Sequence, residues 1–160
     1  MNFLLIGGKP DTGKTETISR LFLLLRETYR DIENVHTIET NIPPPTNPLL
    51  DFSVILKGTD TLGKNIKILI HSATDDDFNI NLLHNNIKKY SPDIVITSIR
   101  DIYDERRKVL EIVNTNFSIE IPLAKITRRN HFDEALNWYQ NSIDNLINRL
   151  ISQNPYNLIR

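Results

Sequence analysis

The chain has 160 residues, of which 24% are charged and 39% hydrophobic, and this composition is typical of a single soluble domain spanning residues 1–160. Its formal net charge of −1 removes any general attraction to nucleic acid or to an anionic membrane. Cysteine is absent, which excludes disulfides and thiolate metal sites. Because no apolar run approaches the roughly 18 residues of a membrane span and the amino terminus lacks a signal-peptide pattern, we expect a cytoplasmic protein without a membrane partner.

The first predicted unit is a strand, a glycine-rich loop and a helix. Residues 3–6 form a short apolar run, which predicts a buried strand near 2–7. Residues 8–15, with the sequence GKPDTGKT, fit the phosphate-binding pattern G-x-x-x-x-G-K-S/T, whose expected context is a strand before it and a helix after it. The helix predicted over 14–30 carries its apolar side chains at helical spacing, namely Ile18, Leu21, Phe22, Leu25 and Tyr29.

Each defined position of the motif has a physical role. Glycine lets successive amides turn toward phosphate oxygens, Lys14 can reach the β- and γ-phosphates, and the Thr15 hydroxyl can ligate Mg²⁺. The helix adds the positive end of its dipole. Lys14 is the predicted catalytic cation, whereas Lys9 is either a solvated loop lysine or a second cation for the γ-phosphate or a dimer interface. The predicted nucleotide-contacting residues of this segment are Gly8, Lys9, Pro10, Asp11, Thr12, Gly13, Lys14, Thr15 and Thr17.

Residues 31–52 are the least regular part of the sequence. The proline-rich run at 42–48 cannot form a helix and removes the amide donors of a strand ladder. We interpret it as a surface connection. The alternative is a mobile loop near the nucleotide, in which Thr40 or Thr46 senses the metal.

The rest of the chain alternates between strands and helices. Residues 53–58 and 65–71 are separated by a turn-like segment and predict an antiparallel hairpin, with 53–58 at the edge of the sheet. Further strands are predicted near 93–99 and 117–121, and helices near 77–90, 102–114 and 131–151. The last helix has one apolar stripe that we expect to face the core, formed by Phe132, Ala135, Leu136, Tyr139, Ile143, Leu146, Ile147 and Leu150.

Candidate site residues follow the predicted strands, since ligands of α/β sheets bind at the carboxyl ends of the strands. After the strand 65–71, Asp75 is the candidate for a catalytic role through the metal or a water molecule, while at least one of the three aspartates at 75–77 should cap the next helix. His71 is interpreted as a packed or hydrogen-bonded histidine. Asp101, Lys125 and Arg128 also follow predicted strands and are further candidates for contact with the ligand.

These motifs resemble the P-loop NTPase superfamily. The layout is similar to Ras-like small GTPases over nearly the full length: loop and helix, irregular segment, antiparallel hairpin, then alternating units. Asp101 matches the last position of the family's N/T-K-x-D signature, which reads guanine, and Ala124 and Lys125 match two positions of its Ser-Ala-Lys element. The resemblance implies that Asp101 and Lys125 contact the nucleotide base, and Arg128 could flank it. The D-x-x-G element is absent. The resemblance implies a three-layer α/β fold with a mostly parallel five-stranded sheet and one antiparallel edge hairpin.

Two other branches of the superfamily share features with this chain. The position of Lys9 resembles the loop of ParA- and MinD-type ATPases. Small nucleotide and metabolite kinases share the loop and use arginines after later strands, where this chain has Arg100, Arg106, Arg107, Arg128 and Arg129. We favour an exposed mixed-charge helix face for Arg106 and Arg107.

The expected ligand is a nucleoside triphosphate with Mg²⁺, with Thr15 and Asp75 on the metal side. ATP is favoured over GTP because most of the guanine signature is missing. The expected activity is slow hydrolysis coupled to a conformational change or to a protein partner, which could be a second copy of the chain. The alternatives are a small nucleotide or metabolite kinase and a nucleotide-binding interaction module with little turnover.

Overall fold

The computed structural model describes residues 1–35, 51–126 and 132–160. These residues form a mixed α/β structure. Thr40, Thr46 and the proline-rich run lie outside the described residues, as do Arg128 and Arg129. The strands are β1 (Asn2–Gly8), β2 (Asp31–Asn34), β3 (Ser53–Thr59), β4 (Asn65–His71), β5 (Ile94–Arg100) and β6 (Phe117–Pro122), and the helices are α1 (Lys14–Thr28), α2 (Asp77–Tyr90), α3 (Tyr103–Val113) and α4 (Phe132–Ile151).

The six described strands form one sheet in the order β2-β3-β4-β5-β1-β6. The neighbours β4, β5, β1 and β6 run parallel, whereas β3 is antiparallel to both β2 and β4. The predicted hairpin is therefore confirmed, but the expected count of five strands and the edge position of β3 are wrong. The extra edge strand, β2, contains only Ile32 as an apolar residue in four positions, so it carries little of the pattern that identifies a strand.

Both faces of the sheet are covered by helices, which explains why the central strands are almost continuously apolar. Along β1, Leu4 and Ile6 point into a core shared with α1 and α4, while Phe3 and Leu5 point into a core shared with α2 and α3. The two cores are the physical basis of the helix–sheet–helix layering. In the described part of the chain no helix combines the length and the apolar character that crossing a bilayer requires.

The last helix meets the core with only part of its predicted stripe. Ile147 and Ile151 are buried, but Leu146 is 45% exposed. Nearer the start of α4, Ala135 is exposed and Leu136 is half-buried. The prediction of one continuous core-facing stripe is therefore wrong for the first half of α4. The segment after α4 contributes to the core instead, because the buried Tyr156 donates to the carbonyl oxygen of Phe3 at 2.6 Å.

The functional candidates lie together along one side of the sheet, at the carboxyl ends of its parallel strands. The parallel strands β4, β5, β1 and β6 all end there, and the antiparallel β3 begins there, since Ser53 pairs with His71 in the ladder. Residues that follow β4 and residues that precede β3 therefore meet beside the loop between β1 and α1. Positions that are far apart in the sequence are brought together by this arrangement of strand directions.

Candidate phosphate-binding site

The loop between β1 and α1 is anchored on both sides of β1. Past the end of β5, the Asp101 amide donates to the carbonyl oxygen of Gly8 at 3.0 Å, and past the end of β6 the Leu123 amide donates to the carbonyl oxygen of Gly7 at 2.8 Å. The loop then enters α1 through Gly13, whose φ of 82° is left-handed and favours glycine. The first turn of α1 therefore borders the space beyond the carboxyl ends of the parallel strands.

The Lys14 side chain folds back into this loop. Its ammonium group donates to the carbonyl oxygen of Gly8 at 3.1 Å and to that of Lys9 at 2.7 Å. Burial lowers the pKa of Lys14, and the neighbouring Arg100 guanidinium lowers it further, with Asp11 and Asp75 acting in the opposite direction. A cation in these surroundings would gain stability from an added anion.

Three oxygen-bearing side chains, Thr15, Asp51 and Ser72, line the same pocket as Lys14. The Thr15 hydroxyl donates to Oδ1 of Asp51 at 3.4 Å, and the Ser72 hydroxyl donates to the same oxygen at 3.5 Å. Ser72 is held in place because its hydroxyl also accepts from the Phe52 amide at 2.8 Å. One carboxylate and two hydroxyls provide oxygen donors of the kind that Mg²⁺ prefers when phosphates and water complete its coordination. Within the described ranges there is no cluster of three or more His, Cys, Asp or Glu side chains arranged for a metal.

Asp51 was missed by the sequence interpretation. It precedes β3 by two residues and stands 36 positions from Thr15, with no motif that connects the two. The only available signal was the antiparallel hairpin, because a strand that runs against its neighbours begins where those neighbours end. Asp51 therefore joins Thr15 as a candidate for the metal.

Two of the three aspartates after β4, Asp75 and Asp76, have separate roles. Asp76 caps α2, since its carboxylate accepts from the Asn79 amide at 2.8 Å, which confirms the predicted cap. Asp75 lines the pocket described below, and its Oδ1 accepts from the Asn79 side-chain amide at 3.2 Å. The backbone carbonyl of Asp75 accepts from Arg100 at 3.2 Å. His71 is fully buried, in keeping with its interpretation as a packed histidine.

The loop borders a main pocket of about 510 Å³, which is within the usual range for small-molecule sites. One part of its wall is polar and includes Asp51, Ser72 and Arg100. Another part is apolar and comes from α4, including Leu136 and Ile143. Of the predicted loop residues, the main pocket is lined by Pro10, Asp11, Thr12, Gly13, Lys14, Thr15 and Thr17.

A side pocket of about 500 Å³ lies across the loop from the main pocket. It is lined by Gly8, Lys9 and Thr12 of the loop, together with Asp101 and Lys125. The two predicted base-contacting residues within the described chain are therefore brought together, but they do not line the main pocket.

The arginines of α3 are held in ion pairs. Arg106 makes two hydrogen bonds to Glu120, at 3.0 and 2.5 Å, and Arg107 pairs with Glu111 one turn along the helix. The interpretation as an exposed mixed-charge helix face is confirmed for Arg107, which is exposed, but it is wrong for Arg106, which is half-buried against Glu120 of β6 and lines the side pocket. Arg100 differs from them because it lines the main pocket beside Lys14.

Comparison with protein-family models, with curated proteins and with solved structures finds no match for this chain. The functional argument therefore depends on the loop, the pockets and the side chains that line them.

If the loop holds phosphate, replacing Gly8 by alanine should abolish that binding. The added Cβ would stand 2.7 Å from Oγ1 of Thr12 and 2.9 Å from the carbonyl oxygen of Leu123, at a φ of +145°. We expect a stability loss of about 1–3 kcal/mol from overpacking and a loss of MgATP binding measured by calorimetry. Gly63→Ala is the matched control, because its φ is +85° but nothing lies within 4 Å of the added Cβ. That variant should lose roughly 1–2 kcal/mol and bind MgATP normally. Normal binding by Gly8→Ala would contradict the role of the loop.

Proposed function

We propose that the main pocket binds the magnesium complex of a nucleoside triphosphate and hydrolyses it slowly. The observation that carries the proposal is the pairing of a strand–loop–helix phosphate motif with an oxygen pair beside it, Thr15 Oγ1 and Asp51 Oδ1, 3.4 Å apart. Either feature alone would be weaker support. Together they supply contacts for both the anion and its cation.

The triphosphate would be held by the backbone amides of residues 8–15, by the amino end of α1 and by Lys14. Lys14 would exchange its two carbonyl acceptors for phosphate oxygens, and this exchange replaces neutral acceptors by charged ones, which make stronger hydrogen bonds. The ligand would then stabilise the charged form of Lys14, which burial and the Arg100 charge disfavour.

Thr15 and Asp51 would hold the magnesium ion, either directly or through water, with Ser72 as a further oxygen. An ion held there would supply positive charge that offsets the charge of the phosphate oxygens. Arg100 would offset charge on the terminal phosphoryl group, since it lines the same pocket next to Lys14. Asp75 would orient the attacking water from the same wall.

Hydrolysis in this site would be coupled to the connection between β4 and α2. Arg100 donates to the backbone of Asp75, and Asp75 and Asp76 both contact Asn79 in the first turn of α2. A change in the contacts of Arg100 on loss of the γ-phosphate would therefore reach α2 through two hydrogen-bonded steps. A partner protein that binds α2 in only one of its two arrangements would respond to hydrolysis.

Phosphoryl transfer to a second substrate is the competing activity, and the position of Arg100 suits it as well as it suits hydrolysis. Arginine beside the transferring group stabilises a phosphoryl-transfer transition state whether the acceptor is water or another hydroxyl. A kinase and a hydrolase therefore share this feature and differ in what accepts the phosphoryl group.

The test is calorimetric titration of the full chain with ATP and GTP, with and without Mg²⁺, followed by measurement of phosphate release. We expect magnesium-dependent binding and slow release of phosphate without any acceptor. Loss of the γ-phosphate only when pooled nucleosides and nucleotides are added would assign a kinase instead. Binding without turnover under either condition would leave a nucleotide-binding module. Absence of binding to every ribonucleotide would overturn the proposal.

A further inference from the structure

The main pocket extends across the sheet edge, and its two ends differ in chemistry. Asp51 and Ser72 belong to the β3–β4 side, about 10–14 Å from β1, if neighbouring strands are about 4.8 Å apart. On the other side of β1 the neighbour is β6, and α4 follows β6 in the chain. The phosphate loop therefore lies between a polar end and the end formed by α4.

The α4 end is an apolar wall with one amide in it. Leu136, Gln140 and Ile143 follow each other at helical spacing and line the pocket together with Phe132 and Tyr139. The Tyr139 ring is fixed in place because its hydroxyl accepts from the Ala124 amide at 2.6 Å. Leu136 is half-buried in this wall, and Ile143 lines the wall and also packs against the core shared with α1.

Building on the function proposed above, we propose that the α4 end of the main pocket is an adenine site, with Leu136 and Ile143 against the face of the base and Gln140 reading its edge. Apolar side chains with a few placed polar groups are the usual lining of sites for planar ligands. A carboxamide carries both donors and an acceptor, and adenine presents a donor and an acceptor side by side. The pairing is the one that glutamine makes with adenine in nucleic-acid recognition.

Guanine is a poorer match for this end of the pocket. Its N1 and N2 hydrogens are two adjacent donors, which suit a carboxylate acceptor. Asp144, the carboxylate that follows Ile143 on α4, is already in a two-bond ion pair with Arg20, at 2.8 and 3.0 Å. Asp101, the residue that matches a guanine signature, lines the side pocket instead. Asp101 and Lys125 therefore do not line the pocket that contains the apolar wall, although Leu123 and Ala124 line both pockets.

The experiment compares MgATP, MgGTP and magnesium tripolyphosphate on the parent protein and on variants of α4. Gln140→Leu keeps the volume and removes the amide, and we expect about tenfold weaker binding of MgATP with unchanged binding of tripolyphosphate. Gln140→Glu offers a carboxylate to guanine and should shift the ATP/GTP preference toward GTP. Asn141→Leu is the matched control, because the neighbouring residue is exposed on the same helix and should leave all three affinities unchanged.

The outcomes separate this inference from the proposed function. Equal affinity of the parent for MgATP and tripolyphosphate would overturn the adenine site and leave phosphate binding in place. A loss of affinity in Asp101→Asn, with no loss in Gln140→Leu, would place the base in the side pocket and also overturn the adenine site. Failure of the parent to bind any of the three ligands would overturn the proposed function together with the adenine site.

Discussion

Lys14→Ala is expected to weaken the binding of MgATP and of MgGTP by at least about 100-fold, which corresponds to about 2.7 kcal/mol. The reason is that Lys14 is the one side-chain cation that the motif directs into the loop, and a hydrogen bond to a charged group contributes roughly 1.5–3 kcal/mol. The β- and γ-phosphates would lose both that bond and the charge behind it. Calorimetric titration in magnesium buffer measures the effect directly.

The fold should survive this substitution. In the structure the Lys14 ammonium donates to two loop carbonyls, and these hydrogen bonds stabilise the folded state. Burial of the ammonium group and repulsion from Arg100 destabilise the folded state, as the lowered pKa of Lys14 indicates. Because these contributions have opposite signs, the net change in the free energy of unfolding should be within about 1 kcal/mol. Circular dichroism and a denaturant titration would verify that the lost binding is not a loss of structure.

Lys9→Ala provides the matched control, since it removes a cation from the same loop. Lys9 lines the side pocket, whereas Lys14 lines the main pocket. The control should therefore bind MgATP within about threefold of the parent, or within about 0.7 kcal/mol. If Lys14→Ala bound as tightly as the parent, or if Lys9→Ala lost as much affinity, the phosphates would not lie where we place them.

The helices and the strands other than β2 could be predicted because their sequences are regularly patterned. The buried parallel strand β1 contains a continuous apolar run at residues 3–6, and α1 repeats its apolar residues at helical spacing. β2 could not be predicted, since its four residues are stabilised by the ladder to β3 and not by their own pattern. The position of β3 inside the sheet follows from β2, so both errors have one cause.

The α4 helix shows a different limit of sequence reasoning. The sequence predicts that apolar residues of α4 lie along one side of the helix. Periodicity does not distinguish a side chain that faces a core from one that faces a pocket. Ile147 faces the core and Leu136 faces the pocket, although both belong to the same stripe. Only the placement of α4 over the sheet edge decides between the two environments.

The candidate site could be predicted where its residues are contiguous. Residues 8–15 form a local motif whose spacing carries its chemistry, so the loop was identified without tertiary information. Asp51 is positioned by strand direction, and the grouping of Asp101 with Lys125 in a side pocket depends on the order of β5, β1 and β6. Contacts that depend on sheet order cannot be deduced from spacing along the chain.

Asp51→Asn is expected to remove most of the magnesium dependence of ATP binding. The substitution keeps the size of the side chain and removes the charge that faces the Thr15 hydroxyl at 3.4 Å. We expect at least about tenfold weaker MgATP binding, equal to about 1.4 kcal/mol, with little change for ATP in the presence of a chelator. Titrations at several magnesium concentrations would separate metal binding from phosphate binding.

A double-mutant cycle tests whether Asp51 and Thr15 act on the same ion. Thr15→Val removes the hydroxyl while keeping a β-branched side chain at the start of α1. If both residues contact one ion, the losses in the double variant should fall short of the sum by about 0.5–3 kcal/mol, as is usual for residues that share a partner. Additive losses would mean that the two side chains act independently.

Asp75→Asn is the control that decides whether Asp75, the acid predicted from the sequence, or Asp51 holds the magnesium ion. It makes the same change in charge within the same pocket, but the Asp75 carboxylate accepts from Asn79 in α2. We expect Asp75→Asn to slow phosphate release while the magnesium dependence of binding stays close to that of the parent. If Asp75→Asn lost that dependence and Asp51→Asn kept it, the metal would belong to the β4–α2 connection and Asp51 would have no part in holding it.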